Sequence, residues 1–127
     1  VLQWGTYYGD TGIDEGWGID CDEQNNIYVT GFTSSVFGII AGTPHQAMFG
    51  GGSNDAFLAK FNPAGSNLLW ATYFGGNGED AATSLEYDQI GKIIITGNTN
   101  STVNIATSAS HQSVIASAED GYLAAFN

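Results

Sequence analysis

The stretch LQWGTYYGDTGID at residues 2–14 returns as LLWATYFGGNGED at 68–80, and the recurrence constrains the fold more than any other feature of the chain. A shift of 66 pairs Leu2 with Leu68, Trp4 with Trp70, Thr6 with Thr72, Tyr7 with Tyr73, Gly9 with Gly75, Gly12 with Gly78 and Asp14 with Asp80. The same shift continues through Asp22 and Asp88, Ile27 and Ile93, TGFTSS at 30–35 and TGNTNS at 96–101, and the two His-Gln pairs at 45–46 and 111–112. After one deletion, a shift of 65 aligns DAFLAKFN at 55–62 with DGYLAAFN at 120–127. Order kept over that length marks duplication of a structural unit. The units are residues 1–65 and 66–127.

Each unit holds short segments rich in aromatic and β-branched residues, punctuated by Gly and Asn, without sustained helical periodicity. Four strands are expected per unit, in the first roughly LQWGTYYG, GWGIDCD, NIYVTGFT and DAFLAKFN. Tight turns are expected at DEQNN and DQIGK, and a hairpin at FNPAGSNLLW. The strands do not alternate cleanly: Phe57, Ala59 and Phe61 share one face of DAFLAKF, while Ala56, Leu58 and Lys60 share the other. Both faces therefore read as covered. The reading is an all-β chain of two four-stranded antiparallel repeats stacked as β-propeller blades.

The motifs WGTYYGDTGID, NIYVTGFTSS and DAFLAKFNPAG also carry a resemblance: the chain is similar to the SBBP-type beta-propeller repeat of secreted and cell-surface bacterial proteins. In the second unit TSLEYD and the shorter IASAEDGY depart from that pattern. The resemblance implies a propeller scaffold outside the cytoplasm and no single activity.

Two blades leave apolar faces uncovered, since propellers close with about four to eight. The chain is accordingly expected to be part of a larger propeller or of an assembled ring, its partner a protein, further blades or another copy of itself. LQWGTYYG is expected to close the sheet of a preceding blade, and DGYLAAFN to receive a strand from elsewhere.

Thirteen acidic residues face only Lys60 and Lys92, with no arginine, for a formal charge of −11. That balance opposes binding to nucleic acid or to anionic membrane surfaces. No apolar run is long enough to span a bilayer, so no membrane insertion is expected. The start at Val1 suits a mature or excised piece. Cys21, the lone cysteine, excludes an intrachain disulfide and is expected to act as a small buried hydrophobe.

The recurring acids at Asp14/Asp80, Asp22/Asp88 and Asp55/Asp120 suit turn-capping better than catalysis. DCDEQNN places carboxylates two apart, as in some calcium loops, but lacks the Gly and distal Glu of an EF-hand; no cofactor is expected, with calcium here as the exception to test. Gly50, Gly51 and Gly52 lack the Lys and Ser/Thr of a phosphate loop and suit flexibility before a strand. Ser34 and Ser35 lack a nucleophile-elbow context, so no catalytic residue is assigned. Three residues are candidates to face a ligand: Trp17, whose counterpart is Thr83 and which the repeat does not require, and His45 and His111, for which a structural loop role is the competing reading. The expected function is a noncatalytic extracellular or cell-surface interaction and assembly module. The alternative is a carbohydrate-binding lectin of oligomerised two-blade subunits, with a glycan-active enzyme scaffold a distant third.

Overall fold

The computed structural model describes residues 1–127, which form seven strands and no helix: β1 (Asp14–Cys21), β2 (Ile27–Thr33), β3 (Asp55–Phe61), β4 (Leu68–Phe74), β5 (Asp80–Tyr87), β6 (Ile93–Thr99) and β7 (Asp120–Phe126). The first four make one antiparallel sheet in chain order, the last three a second. Sheets and sequence repeats are out of phase by one strand. β4, which opens the second repeat, is the outer strand of the first sheet, so the first sheet has four strands and the second three.

The turns follow from local chemistry. Asp22 Oδ1 accepts from the backbone N–H groups of Gln24 and Asn26, and Asn25 takes φ 61°, closing β1 onto β2. Asp88 repeats the device with Ile90 and Lys92, Gln89 taking φ 63°. Between β3 and β4, Asn62 Oδ1 accepts from the N–H groups of Ser66 and Asn67, and Gly65 occupies the left-handed region at φ 64°. Short polar side chains that bond their own backbone favour such turns.

β1 and β5 each carry a bulge, between Gly16 and Gly18 and between Ala82 and Ser84. Gly31 and Gly97 lie opposite these bulges, where a Cβ would collide with the carbonyls of Glu15 and Ala81. The glycine of each TGxTxS motif is thus fixed by close backbone approach.

The sheets stack face to face. Tyr28, Ala56, Leu58 and Phe74 of the first pack against Ala82, Leu85, Ile93, Ile95 and Tyr122 of the second. β1 runs against β5, a Cβ on Gly18 falling 3.0 Å from the Leu85 nitrogen, and the Tyr87 N–H donates to Asp20 Oδ2 at 2.8 Å. The sheets meet chiefly through β5 against β1 and β2. On the far face of the first sheet a second cluster gathers Ile39, Phe57, Ala59, Phe61, Ala71 and Tyr73.

Cys21 is exposed, contrary to expectation. It shares a strand face with Ile19, itself 69% exposed, on the side of the first sheet that no further sheet covers. The glycine cluster also differs from its expected flexibility. Gly51 and Gly52 hold positive φ, and Gly50 and Gly52 approach the backbone of Gly75–Gly76 and Gly78 so closely that no side chain fits.

Candidate functional site

Polar anchors begin each blade-like unit. Asp14 Oδ1 accepts from Thr33 Oγ1 at 2.5 Å and Oδ2 from Ser35 Oγ and the Asp10 N–H, both at 3.0 Å. Asp80 repeats the set with Thr99, Ser101 and the Gly76 N–H. The Thr and Ser of TGxTxS are therefore the acceptor's partners, tying the end of one strand to the start of its neighbour.

A second anchor clasps β4 from its outer side. Ala41 and Ala71 form a two-way backbone bridge, the Gln46 N–H donates to Thr72 Oγ1 at 2.7 Å, and the Tyr73 N–H donates to the Gln46 carbonyl at 3.2 Å. The Gln46 side chain accepts from the Gly75 N–H at 3.0 Å and donates to the Met48 carbonyl and Asp55 Oδ2. β4 thus lies in a slot between β3 and the 41–46 loop.

In the second unit the slot's walls are present. Gln112 Nε2 donates to the Val114 carbonyl and Asp120 Oδ2, and the Ala116 N–H to the same carboxylate oxygen. No strand of this chain pairs with the outer edge of β7. The face beside that edge is uncovered as well: Leu123, the repeat counterpart of fully buried Leu58, is 77% exposed.

The segment equivalent to β4, Leu2–Tyr8, lies at the opposite end of the molecule without strand pairing. It is already docked as an outer strand would be. Tyr8 packs on Phe57 and Phe61 with ring centroids 5.1 and 5.5 Å away. Its counterpart Phe74 packs on Tyr122 and Phe126 at 5.2 and 5.6 Å. Trp4 lies over Gly65 and, with Tyr8, Ile19, Ile27, Val29 and Phe61, lines an apolar recess of about 220 Å³. Tyr7, by contrast, is wholly exposed, whereas its counterpart Tyr73 is buried and donates to the Ser35 carbonyl.

The three candidate ligand-facing residues lie on separate elements. Trp17 sits on β1, half-exposed, its indole N–H donating to Glu15 Oε2 and its ring edge-on to Phe32. His45, in the β2–β3 connection, places its ring 5.7 Å from Phe126 and 6.5 Å from Phe74, bridging the two sheets. His111 is exposed in the β6–β7 connection. In both His-Gln pairs the glutamine holds the loop. Its recurrence beside each histidine was the available signal.

In DCDEQNN, Asp22 directs Oδ2 to Asn26 Nδ2 and Lys60 Nζ, both at 2.9 Å, and to the Tyr28 hydroxyl at 3.3 Å. Burial alone would raise its pKa, but the hydrogen bonds from Asn26 and Lys60 and the ammonium charge hold it down to about 2. Lys60 also lies 4.9 Å from the Tyr28 ring centroid. No group of three or more His, Cys, Asp or Glu side chains is arranged to hold a metal ion.

Asp55 is the one strongly perturbed acid in the opposite direction. It is fully buried, its Oδ1 has no hydrogen-bond partner, and Oδ2 accepts from Gln46 Nε2 and the Gly50 N–H. Burial, reinforced by the Asp80 charge, pushes its pKa up to about 6. The folded state therefore binds this proton more tightly than the unfolded chain, and Asp55 lowers stability as pH rises from about 4 to about 6, with no further change above. Asp55→Asn is expected to stabilise the chain by about 1 kcal/mol at pH 8 and by almost nothing at pH 4, read as paired urea midpoints at the two pH values.

Residues 3–38 match the family model of the SBBP beta-propeller repeat. No curated protein matches the chain. That match stands beside two stacked antiparallel sheets and a duplicated unit: residues 3–38 are similar to the SBBP beta-propeller repeat, and the all-β fold of the chain is consistent with propeller blades.

Proposed function

We propose that this chain is a noncatalytic interaction and assembly module, working outside the cell or at its surface, whose unfilled outer edge and uncovered blade faces are its means of association. One observation carries the reading: Leu58 is 0% exposed beneath the second blade, while its repeat counterpart Leu123 is 77% exposed on β7, whose outer edge has no partner. Exposed apolar surface next to a free strand edge invites strand addition by a protein. The extracellular placement rests on the repeat's resemblance to secreted and cell-surface proteins. A net charge of −11 disfavours polyanionic partners.

The purified chain is expected to turn over no glycoside, ester, peptide or phosphate substrate, while association is retained. Turnover that copurifies with the chain would overturn the noncatalytic reading. A lectin reading rests on Trp17, whose half-exposed ring has a free surface suited to stacking on a sugar. Binding on a glycan array that is lost in Trp17→Ala would favour it over protein association.

A further inference from the structure

We propose that the occupant of the β7 edge is the Leu2–Gly9 segment of a second copy of this chain, added as the fourth strand of the β5–β6–β7 blade. This rests on the interaction-module reading above and names its partner. Within residues 1–127 both halves of the joint are present: β7 with no strand on its outer edge, and the Leu2–Gly9 segment with no strand pairing.

The register follows from the repeat. In the first blade Phe57 pairs with Tyr73, Leu58 with Thr72 and Ala59 with Ala71. Applying the repeat shifts to each side pairs Tyr122 with Tyr7, Leu123 with Thr6 and Ala124 with Gly5. The slot's outer wall corresponds as well: Gln46 clasps Thr72, Tyr73 and Gly75, and Gln112 would clasp Thr6, Tyr7 and Gly9 of the incoming strand. Wholly exposed Tyr7 then takes the environment of buried Tyr73.

Packing independently sets the neighbour's position. Tyr8 already sits on Phe57 and Phe61 as Phe74 sits on Tyr122 and Phe126, with centroid distances matched to within 0.1 Å in each pair. The strand is therefore held where a preceding blade requires it. The donor's first blade then covers the acceptor's second, burying Leu123 as the second blade buries Leu58. The contact is head to tail, and its repetition closes a ring where the blade rotation permits. At two blades per chain, a ring of about four to eight blades takes two to four copies.

The test uses the full chain with Cys21→Ser as background, mixing a Gly5→Cys chain with an Ala124→Cys chain under oxidising conditions. Directly opposed antiparallel residues lie about 4.5–5.5 Å apart at Cα, within disulfide range. The expected result is a disulfide between chains, about tenfold more abundant than with Ala125→Cys, whose side chain points to the opposite face. Equal cross-linking at 124 and 125, or no disulfide between the Gly5→Cys and Ala124→Cys chains, would overturn the proposal. The mass of the unmodified background protein in solution separates the two claims: assembly without the 5–124 bridge overturns this pairing and leaves the interaction module standing. A folded monomer at every concentration overturns the second-copy proposal, while copurifying turnover bears only on the noncatalytic reading.

Discussion

Leu58→Ala is expected to lower the unfolding free energy by about 3 kcal/mol, within the usual range for a buried leucine truncated to alanine. Leu58 is fully buried in the joint between the blades, packed in the cluster that includes Tyr28, Phe74, Ile95 and Tyr122. Truncation removes apolar contacts from both sheets, and backbone held by strand pairing on both sides cannot collapse to refill the space. The same substitution at Leu123 is expected to change unfolding of the dissociated chain by less than about 0.5 kcal/mol, because its side chain has little contact to lose. Its effect appears instead as weaker association. Urea titration of both variants at low concentration, with a dilution series for Leu123→Ala, checks the pair. Equal losses on unfolding of dissociated chains would contradict the stacking described here.

Asp80→Ala is expected to cost about 4 kcal/mol, since it strands several buried donors together. Asp80 is 1% exposed, and its carboxylate receives the hydroxyls of Thr99 and Ser101 and the Gly76 N–H. Ser101 is in turn oriented by its own N–H donating to Thr99 Oγ1. Alanine leaves three donors without an acceptor in a region water does not reach. Asp14 makes the same contacts at a half-exposed position, where water substitutes for the lost acceptor, and Asp14→Ala is expected to cost about 1.5 kcal/mol. Chemical denaturation of the two variants checks both the size and the order. The difference measures what the second blade's neighbour contributes to a shared motif.

The repeat made seven of the eight expected strands and the turns legible because each signal is local, whereas LQWGTYYG, with no neighbour to pair with, forms no strand. Asp22, Asp88 and Asn62 bond backbone groups within five residues, and a sequence displays such turns directly. The blade boundary follows from the same duplication, since β4 belongs to one repeat by sequence and to the preceding sheet by pairing. Contacts across distance were less visible. Gln46 reaches Gly75 across 29 positions, so its part in holding β4 is hidden beside the more conspicuous His45. The Gly50–Gly52 cluster resembles a flexible linker until Gly76 and Gly78 are seen against it. Cys21 illustrates a different limit. Burial of a strand face depends on whether a neighbour covers it, and residue type alone does not report the neighbour.

The most direct measurement is the mass of the 127-residue chain in solution by light scattering across a dilution series. Completion of the second blade by another copy requires a discrete species at two, three or four times 13.3 kDa that dissociates on dilution or on loss of residues 1–9. A folded species of 13.3 kDa at every concentration, with Leu123 still solvent-exposed, would contradict completion of the blade by association between copies.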